Sequence, residues 1–341
     1  MRGAQKFFEN KRILLFSPHF FGYGLAVAKK LEDYGAEVNY FDERPGNDFM
    51  TKALIRIDKS LLARKIHKYY SKINRSLKKN YYDYVLFLNL EAISEKDLKA
   101  LKASQPRATF IMYMWDSVRN KKHTASLLSY FDLKHTFDKD DSENERYSAF
   151  NFRPLFFLDE YRNLDSRAKK DIDLLFVGSI HSDRYPLLMK IQSLCAEAGK
   201  TTDFFMFLQS KKLFYARKAS DKSFSTAKMT DFEFTSLSKE DLINKLACTK
   251  VVLDIQHPSQ TGLTMRTVEM IGAKKKIITT NKHIKDYDFY NPTNVLCIDR
   301  ENIELDMSFF ETDFKDLDDA IYHRYSIDGW LEEIFSISIK E

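Results

Sequence analysis

The feature that most constrains this chain is an alternation, sustained along most of its length, of short apolar runs with longer amphipathic stretches. RILLFS at 12–17 stops at Pro18, the helical pattern GLAVAKKLEDYG ends at Gly35, and a second apolar run, EVNYF, follows. Further strand-like runs lie at 84–89, 109–114 and near 133–137, with the helical LKALKAS between the first two. The pattern resumes beyond residue 170. It predicts strands at 173–178, 203–208, 231–234, 250–255, 276–280 and 294–298, and helices near 185–198, 239–247 and 264–273. Strands and helices that alternate in this way build parallel sheets wound with helices.

A length of 341 residues suits two such sheets in two domains. The alternation breaks at 151–170, where NFRPLFFLDEYRNLDSRAKK mixes a proline, several charges and a small apolar knot. The expected organisation is therefore a Rossmann-like domain over 1–155, a second over 156–312, and a helical segment, 313–341, that returns to the first. Two such halves on a short linker leave a central cleft, and ligands of open parallel sheets bind beyond the strands' C-terminal ends. With 44% apolar and 30% charged residues there is material for packed cores. The three cysteines are far apart, so neither a disulfide framework nor a thiolate zinc site is expected, and a reducing cytoplasm fits. The N-terminus lacks an apolar signal region, and no apolar run approaches the roughly 20 residues that span a bilayer.

The net charge of +5 is mild but unevenly placed. Residues 52–79 carry ten Lys or Arg against one acid, Asp58. Leu54, Ile55, Leu61, Leu62, Ile66, Tyr69, Tyr70 and Ile73 give this stretch an apolar stripe at helical spacing, so a basic amphipathic helix is expected. Such a helix is either a solvated face over a core stripe or a surface that meets anionic lipid. No helix-turn-helix, zinc-finger or RNP-like run accompanies it, so nucleic acid is not an expected partner.

The most informative constellation is HPSQTGLTMRTVE at 257–269, which follows the run VVLDI. His257, Thr261, Gly262, Leu263 and Thr264 form a loop of mainly small residues that leads into a helix. Free amides and the dipole at a helix start hold phosphate, and small residues permit close approach. Arg266 adds positive charge there, and Glu269 is placed to accept hydrogen bonds from two vicinal hydroxyls. The plainer alternative makes Thr261 an N-cap, with Arg266 and Glu269 an ordinary surface ion pair.

GLTMRTVEMIGAKKKIITT is similar to the donor-site pattern of GT-B glycosyltransferases, in which a glycine loop precedes a helix bearing a ribose-binding glutamate. DLLFVGS, FDLKHTFDKDD and RPLFF also resemble segments of bacterial polysaccharide-synthesis transferases of that superfamily. The resemblance implies a GT-B fold, two Rossmann-like domains with parallel sheets facing a central cleft. It makes Glu269 the ribose ligand and places Gly178 and Ser179 near the donor diphosphate. Many retaining members carry a second glutamate eight positions before the ribose glutamate, and here that position is Thr261. The resemblance also implies that basic side chains, for which Lys211, Lys212, Arg217 and Lys218 are candidates, meet the leaving diphosphate in place of a metal. The acidic DKDD at 138–141 reads as a turn and helix start, so no metal and no cofactor is expected.

The acceptor side is expected in the first domain. SPHFFGYG puts His19, Gly22 and Gly24 after the first strand, with the glycines permitting a tight turn. Asp116, with Trp115 beside it to stack on a sugar, and Glu91 follow later strands. A general base belongs at such a strand end, which makes Asp116, His19 and Glu91 the candidates in that order. The resulting expectation is metal-independent transfer of a sugar from a nucleotide sugar to a bacterial surface polysaccharide or a lipid-linked saccharide. The enzyme would be cytoplasmic, or peripheral on the inner membrane face through residues 52–79. The alternatives are a GT-B-like nucleotide-sugar epimerase and a non-catalytic nucleotide-binding protein.

Overall fold

Every strand pair among the described residues is parallel, so each sheet gathers its strand C-termini on one edge. The structure is a computed structural model that describes residues 7–19, 22–77, 80–118, 123–147, 150–165, 167–258 and 261–337. It divides into two units, residues 1–154 with 329–341 and residues 155–328.

The first unit holds β1 (Arg12–Ser17), β2 (Glu37–Asp42), β3 (Tyr84–Leu88), β4 (Thr109–Met114), β5 (Leu133–Thr136) and β6 (Asn151–Phe152). Its helices are α1 (Tyr23–Asp33), α2 (Phe49–Asp58), α3 (Ala63–Leu77), α4 (Glu95–Ser104) and α5 (Lys139–Glu143). The sheet order is β2-β1-β3-β4-β5-β6, so the direction of winding reverses between β1 and β3. Leu14, Phe16, Val85, Phe87, Phe110 and Met112 form one buried sheet face under α3 and α4. The Phe16 and Phe87 rings stack across β1 and β3 at 4.5 Å.

The basic stretch is not the single helix expected over 52–79. Asp58 leaves helical geometry at φ −155° and accepts a bond from the Ser60 amide, which starts a 3-10 turn at Lys59–Leu62 and separates α2 from α3. Ile66, Tyr70, Ile73 and Leu77 bury one face of α3 at helical spacing. Leu61, expected in the stripe, is 68% exposed. The DKDD segment forms the start of α5, where Asp138 is the N-cap and accepts from the Asp140 amide.

The second unit holds β7 (Ile172–Ser179), β8 (Thr202–Phe207), β9 (Thr249–Asp254), β10 (Lys276–Thr279) and β11 (Val295–Cys297), in the order β11-β10-β9-β7-β8. Its helices are α6 (Asp159–Arg162), α7 (Arg184–Glu197), α8 (Lys211–Ser220), α9 (Lys239–Ala247), α10 (Met265–Gly272) and α11 (Asp319–Arg324). Here winding reverses between β7 and β9. The strand expected at 231–234 is instead a 3-10 turn, Met229–Asp231, followed by one bridge between Phe207 and Glu233. Phe232 is drawn into an aromatic cluster, stacking on Phe224 at 5.7 Å and approaching Tyr185 at 5.3 Å. Gly272 closes α10 where a Cβ would come within 2.5 Å of the Phe157 ring, so only glycine fits.

Residues 313–328, which the sequence pattern groups with the terminal segment, pack in the second unit: Asn294 Nδ2 donates to Lys315 O, and the Tyr322 hydroxyl donates to Gly272 O. The last helix, α12 (Ile327–Ile334), carries the chain into the first unit. There the fully buried Trp330 meets Tyr113 edge-on at 4.9 Å, and Phe335 packs on Phe8 at 4.8 Å.

At the C-terminal edge of the first sheet, the buried Glu43 carboxylate accepts from the Ala92 and Ile93 amides and ties the loop after β2 to the loop after β3. Burial, with a smaller push from Glu91, raises its pKa from 4.5 to about 7. The folded protein therefore holds this proton more tightly than the unfolded chain, and stability is lost as pH rises from about 4.5 through about 7. Glu43→Gln removes that titration while keeping a carbonyl for the amides. The Tm of Glu43→Gln relative to wild type is expected to rise between pH 5 and pH 8; a constant difference over that range would refute the assignment.

Candidate functional site

The loops after β7 and β9 diverge at the reversal of the second sheet, the place where open α/β sheets take ligands. The β9 loop is built around Asp254, the buried last residue of that strand. Its Oδ2 accepts from the Thr264 and Thr267 hydroxyls, both at 2.6 Å. The Thr264 hydroxyl in turn accepts the Thr267 amide at 3.2 Å and is the N-cap of α10. The cap is thus Thr264 and not Thr261. Thr261 and Gly262 lie just before it, where their carbonyls accept from Asn281 Nδ2, and Leu263 is buried. Two strand-end residues therefore hold open a short loop that delivers the start of α10 to the sheet edge.

Arg266 Nη1 donates to Glu269 Oε2 at 2.7 Å, and the two side chains are only 20% and 8% exposed, so the pair is not the ordinary surface contact of the plainer reading. The Tyr161 hydroxyl, from α6, hydrogen-bonds to the same glutamate, and burial raises its own pKa. An arginine and a phenol donating to one carboxylate fix its orientation, and a carboxylate so held can accept further hydrogen bonds from hydroxyls.

Beyond β7, Ser179 is exposed and leads through Ile180 to His181, Asp183 and the start of α7 at Arg184. Arg184 Nη1 donates to Ser179 O at 2.8 Å, while its buried Nε meets no acceptor among the described residues. Arg217 Nη1 is likewise buried without an acceptor, its guanidinium lying 5.2 Å above the Phe224 ring. A buried donor left unsatisfied costs about 1–3 kcal/mol. Two such donors mark a place where an anion is wanted. Burial, then Arg184, His257 and Arg217, lower the His181 pKa to about 4, so its imidazole is neutral at pH 7. The His181 and His257 rings lie 5.4 Å apart. Arg300 completes the frame: it donates to both Asp183 oxygens at 2.6 Å and to Gln256 O, which links the ends of β7, β9 and β11.

The sequence pattern brought His257, Thr261, Gly262, Leu263, Thr264, Arg266, Glu269, Gly178, Ser179 and Arg217 to this edge but missed Arg184, His181, Arg300, Asp254 and Tyr161. Arg184 was discoverable as the first helical residue after the first strand of its unit, and Asp254 as the polar last residue of an apolar strand. Lys211 begins α8 and is exposed, with its amine 6.0 Å from the Phe234 ring. Lys218 is tied to Ser225 O at 3.0 Å and belongs to the scaffold.

In the first unit the reversal lies between β1 and β3. His19 is exposed after β1, and Gly22 is the left-handed N-cap of α1, at φ 77°, a conformation that favours glycine. Gly24 packs α1 against the strand: a Cβ there would lie 2.5 Å from Ser17 Oγ, which is a packing reason for the glycine. Trp115 and Asp116 follow β4 and are half-buried. Because β3 separates β1 from β4, the His19 and Asp116 loops start about 10 Å apart. Glu91 is buried and bound: Arg44 Nε donates to Oε2 at 2.6 Å and Asn89 Nδ2 to Oε1 at 3.0 Å. This removes the freedom a base needs and makes Glu91 a strut between the β2 and β3 loops.

No protein-family model and no curated relative matches the sequence. Solved structures do match its fold. Anabaena HepE, determined in complex with UDP and glucose, shares 12% identity at a TM-score of 0.63, covering 96% of this chain and 99% of that one. A glycosyltransferase from Rickettsia africae shares 15% identity at a TM-score of 0.60, over 96% and 99%. The lipopolysaccharide outer core galactosyltransferase WaaB, in its apo form, shares 14% at 0.51, over 95% and 99%. The chain therefore has the two-domain, Rossmann-like α/β fold of the GT-B glycosyltransferases.

Asp254 is the keystone of the loop between β9 and α10. Asp254→Ala removes the acceptor of both threonine hydroxyls, and the expected loss is about 1–3 kcal/mol of stability. Hydrogen exchange should accelerate selectively at Met265–Glu269; unchanged exchange there would contradict the keystone role.

Proposed function

We propose that this protein is a glycosyltransferase that moves a sugar from a nucleotide-sugar donor to a saccharide or lipid-linked acceptor of a bacterial surface polysaccharide. The observation that carries the reading is the convergence, at one sheet edge, of the α10 start, the oriented Glu269 and the unsatisfied Arg184 and Arg217 donors. A diphosphate satisfies the guanidinium donors, and a ribose places vicinal hydroxyls on Glu269. The departing nucleoside diphosphate is stabilised by these guanidinium groups and by the helix start, so the transfer proceeds without a metal. The complexes of HepE with UDP and with UDP-glucose support a nucleotide sugar as donor. Asp116 and His19, at the ends of β4 and β1, are the general-base candidates.

Calorimetry with UDP tests the donor site. Glu269→Ala and Arg184→Ala are each expected to weaken UDP by at least tenfold, about 1.4 kcal/mol, with the fold intact by circular dichroism. Retention of wild-type affinity in Glu269→Ala would remove the ribose assignment. Screening UDP, GDP and CMP by thermal shift identifies the base, because a ligand that binds only the native state raises Tm.

The acceptor reading has its own support in the corner formed by α2 and the following turn. Phe49 and Ile57 are each 81% exposed and Leu61 is 68% exposed, beside the exposed Arg56, Arg64 and Lys65. Exposed apolar side chains among cations fit an anionic lipid surface, which is where a lipid-linked acceptor resides. No helix among the described residues is long and apolar enough to cross a membrane. Cosedimentation with vesicles containing phosphatidylglycerol is expected, falling at least fivefold in Phe49→Ser/Ile57→Ser and absent with pure phosphatidylcholine. Equal binding by that variant would remove the membrane contact.

A further inference from the structure

The second unit has a different feature at the opposite end of its sheet. A cavity of about 570 Å3 opens at the first residues of β9 and β10, lined by Lys170, Thr249, Lys275, Lys276 and Phe310 among others. Thr249 lies five residues before Asp254 on β9, so the cavity is about 17 Å from the loop between β9 and α10. It sits at the far end of α10, whose start carries Arg266 and Glu269.

Its wall is cationic, with Arg162, Lys170, Lys250, Lys274, Lys275 and Lys276 facing Asp165, Glu311 and Asp313. Several of these charges are already compensated. Arg162 pairs with Asp328 at 3.0 Å, Lys250 with Asp173 at 2.8 Å, Lys274 with Asp316 at 2.6 Å, and Glu311 is taken by Lys200. Lys170 and Lys275 are not. Lys170 Nζ donates to Ala247 O at 2.5 Å and Lys275 Nζ to Thr249 O at 2.6 Å, and neither forms an ion pair with a carboxylate among the described residues. Lys170 is the cation that acts on Lys275.

Lys275 and Lys276 are 6% and 3% exposed. Burying an ammonium beside another is costly unless counter-charge is supplied. Burial first, and then Lys170, lower the Lys275 pKa to about 7, which shows how poorly the protein alone supports two cations there. Phe310 and Phe314 give the same cavity an apolar wall. A volume of this size accommodates a small ligand.

We infer that this cavity is a second anion-binding site, distinct from the loop between β9 and α10, for a small phosphorylated compound with at least two negative charges, held at the Lys170–Lys275 pair. Whereas Lys276 is already acted on by Asp313, the ligand supplies the counter-charge that Lys170 and Lys275 lack. Its chemistry is shared by free pyrophosphate and by a phosphorylated sugar.

The test is calorimetric titration of the full chain with inorganic pyrophosphate at low ionic strength, and in a second arm with a hexose bisphosphate. Tighter binding in one arm distinguishes the inorganic from the sugar-borne source. Arg184→Ala removes a cation from the donor-type edge and is expected to retain the cavity site. Lys170→Glu is expected to weaken that site at least tenfold in the Arg184→Ala background. Because Lys170 is exposed and the new carboxylate meets Lys275, the Tm of this variant is expected to equal or exceed that of its parent, which separates lost binding from lost folding. Should the glutamate reduce Tm, Lys170→Gln must show the same tenfold loss. Absence of either probe's binding in Arg184→Ala, or undiminished binding in the Lys170 variants, overturns the inference.

Discussion

Parallel strand pairing is the constraint on which the rest of this structure depends. It sends every connection back over a sheet face, buries the strands on both sides and delivers all strand C-termini to one edge. At that edge two loops run in opposite directions wherever the winding reverses, here between β1 and β3 and between β7 and β9. The polar residues of interest are not scattered over these units; they collect at the two reversals. A buried carboxylate braces the loops at each, Glu43 in the first unit through backbone amides and Asp254 in the second through threonine hydroxyls.

The two edges are charged in opposite ways. In the first unit Glu43 and Glu91 bring acid to the buried loops, and Arg44 compensates Glu91. In the second, Arg184 and Arg217 stand near a histidine that its burial and their field keep neutral, and Arg300 braces the same edge. Asp183 is fully engaged by Arg300, so the positive potential falls on Arg184 and Arg217, whose inward nitrogens lack acceptors. Such donors, held in place before a ligand arrives, contribute to anion binding without the reorganisation that flexible surface lysines require. This is why Arg217 remains a ligand candidate while Lys218, bound to a loop carbonyl, does not.

Much of the fold was legible because local chemistry agrees with it. The helix expected at 239–247 is α9 in full, since Ser238 caps it and its first turn carries Glu240 and Asp241. The segment at 231–234 misled because its alternating phenylalanines suit a strand equally well, whereas Phe232 is claimed by Phe224 and Tyr185 from elsewhere in the chain. The basic stretch misled because its spacing is helical across Asp58, and only the bond from that side chain to the Ser60 amide breaks it. Glu91 could not be judged from sequence, because its partner Arg44 lies 47 residues away. The loop between β9 and α10 was found through its small residues, whereas Arg300, which reaches it from beyond β11, carries no local signal.

The two ends of α10 make the same distinction within one helix of eight residues. At its start the polar groups are matched to one another: Asp254 to two hydroxyls, and Glu269 to a guanidinium and a phenol. At its end Gly272 is pressed on Phe157, and after Ala273 come three lysines, of which Lys275 and Lys276 turn inward. Two buried ammonium groups are a poor way to close a helix when exposed lysines interact with its C-terminal dipole at no desolvation cost. Thr249 O and Thr312 O satisfy hydrogen bonds there but do not cancel charge. Packing explains the glycine at this end of the helix, whereas the inward lysines have no such packing reason and are the feature on which the proposed anion site rests.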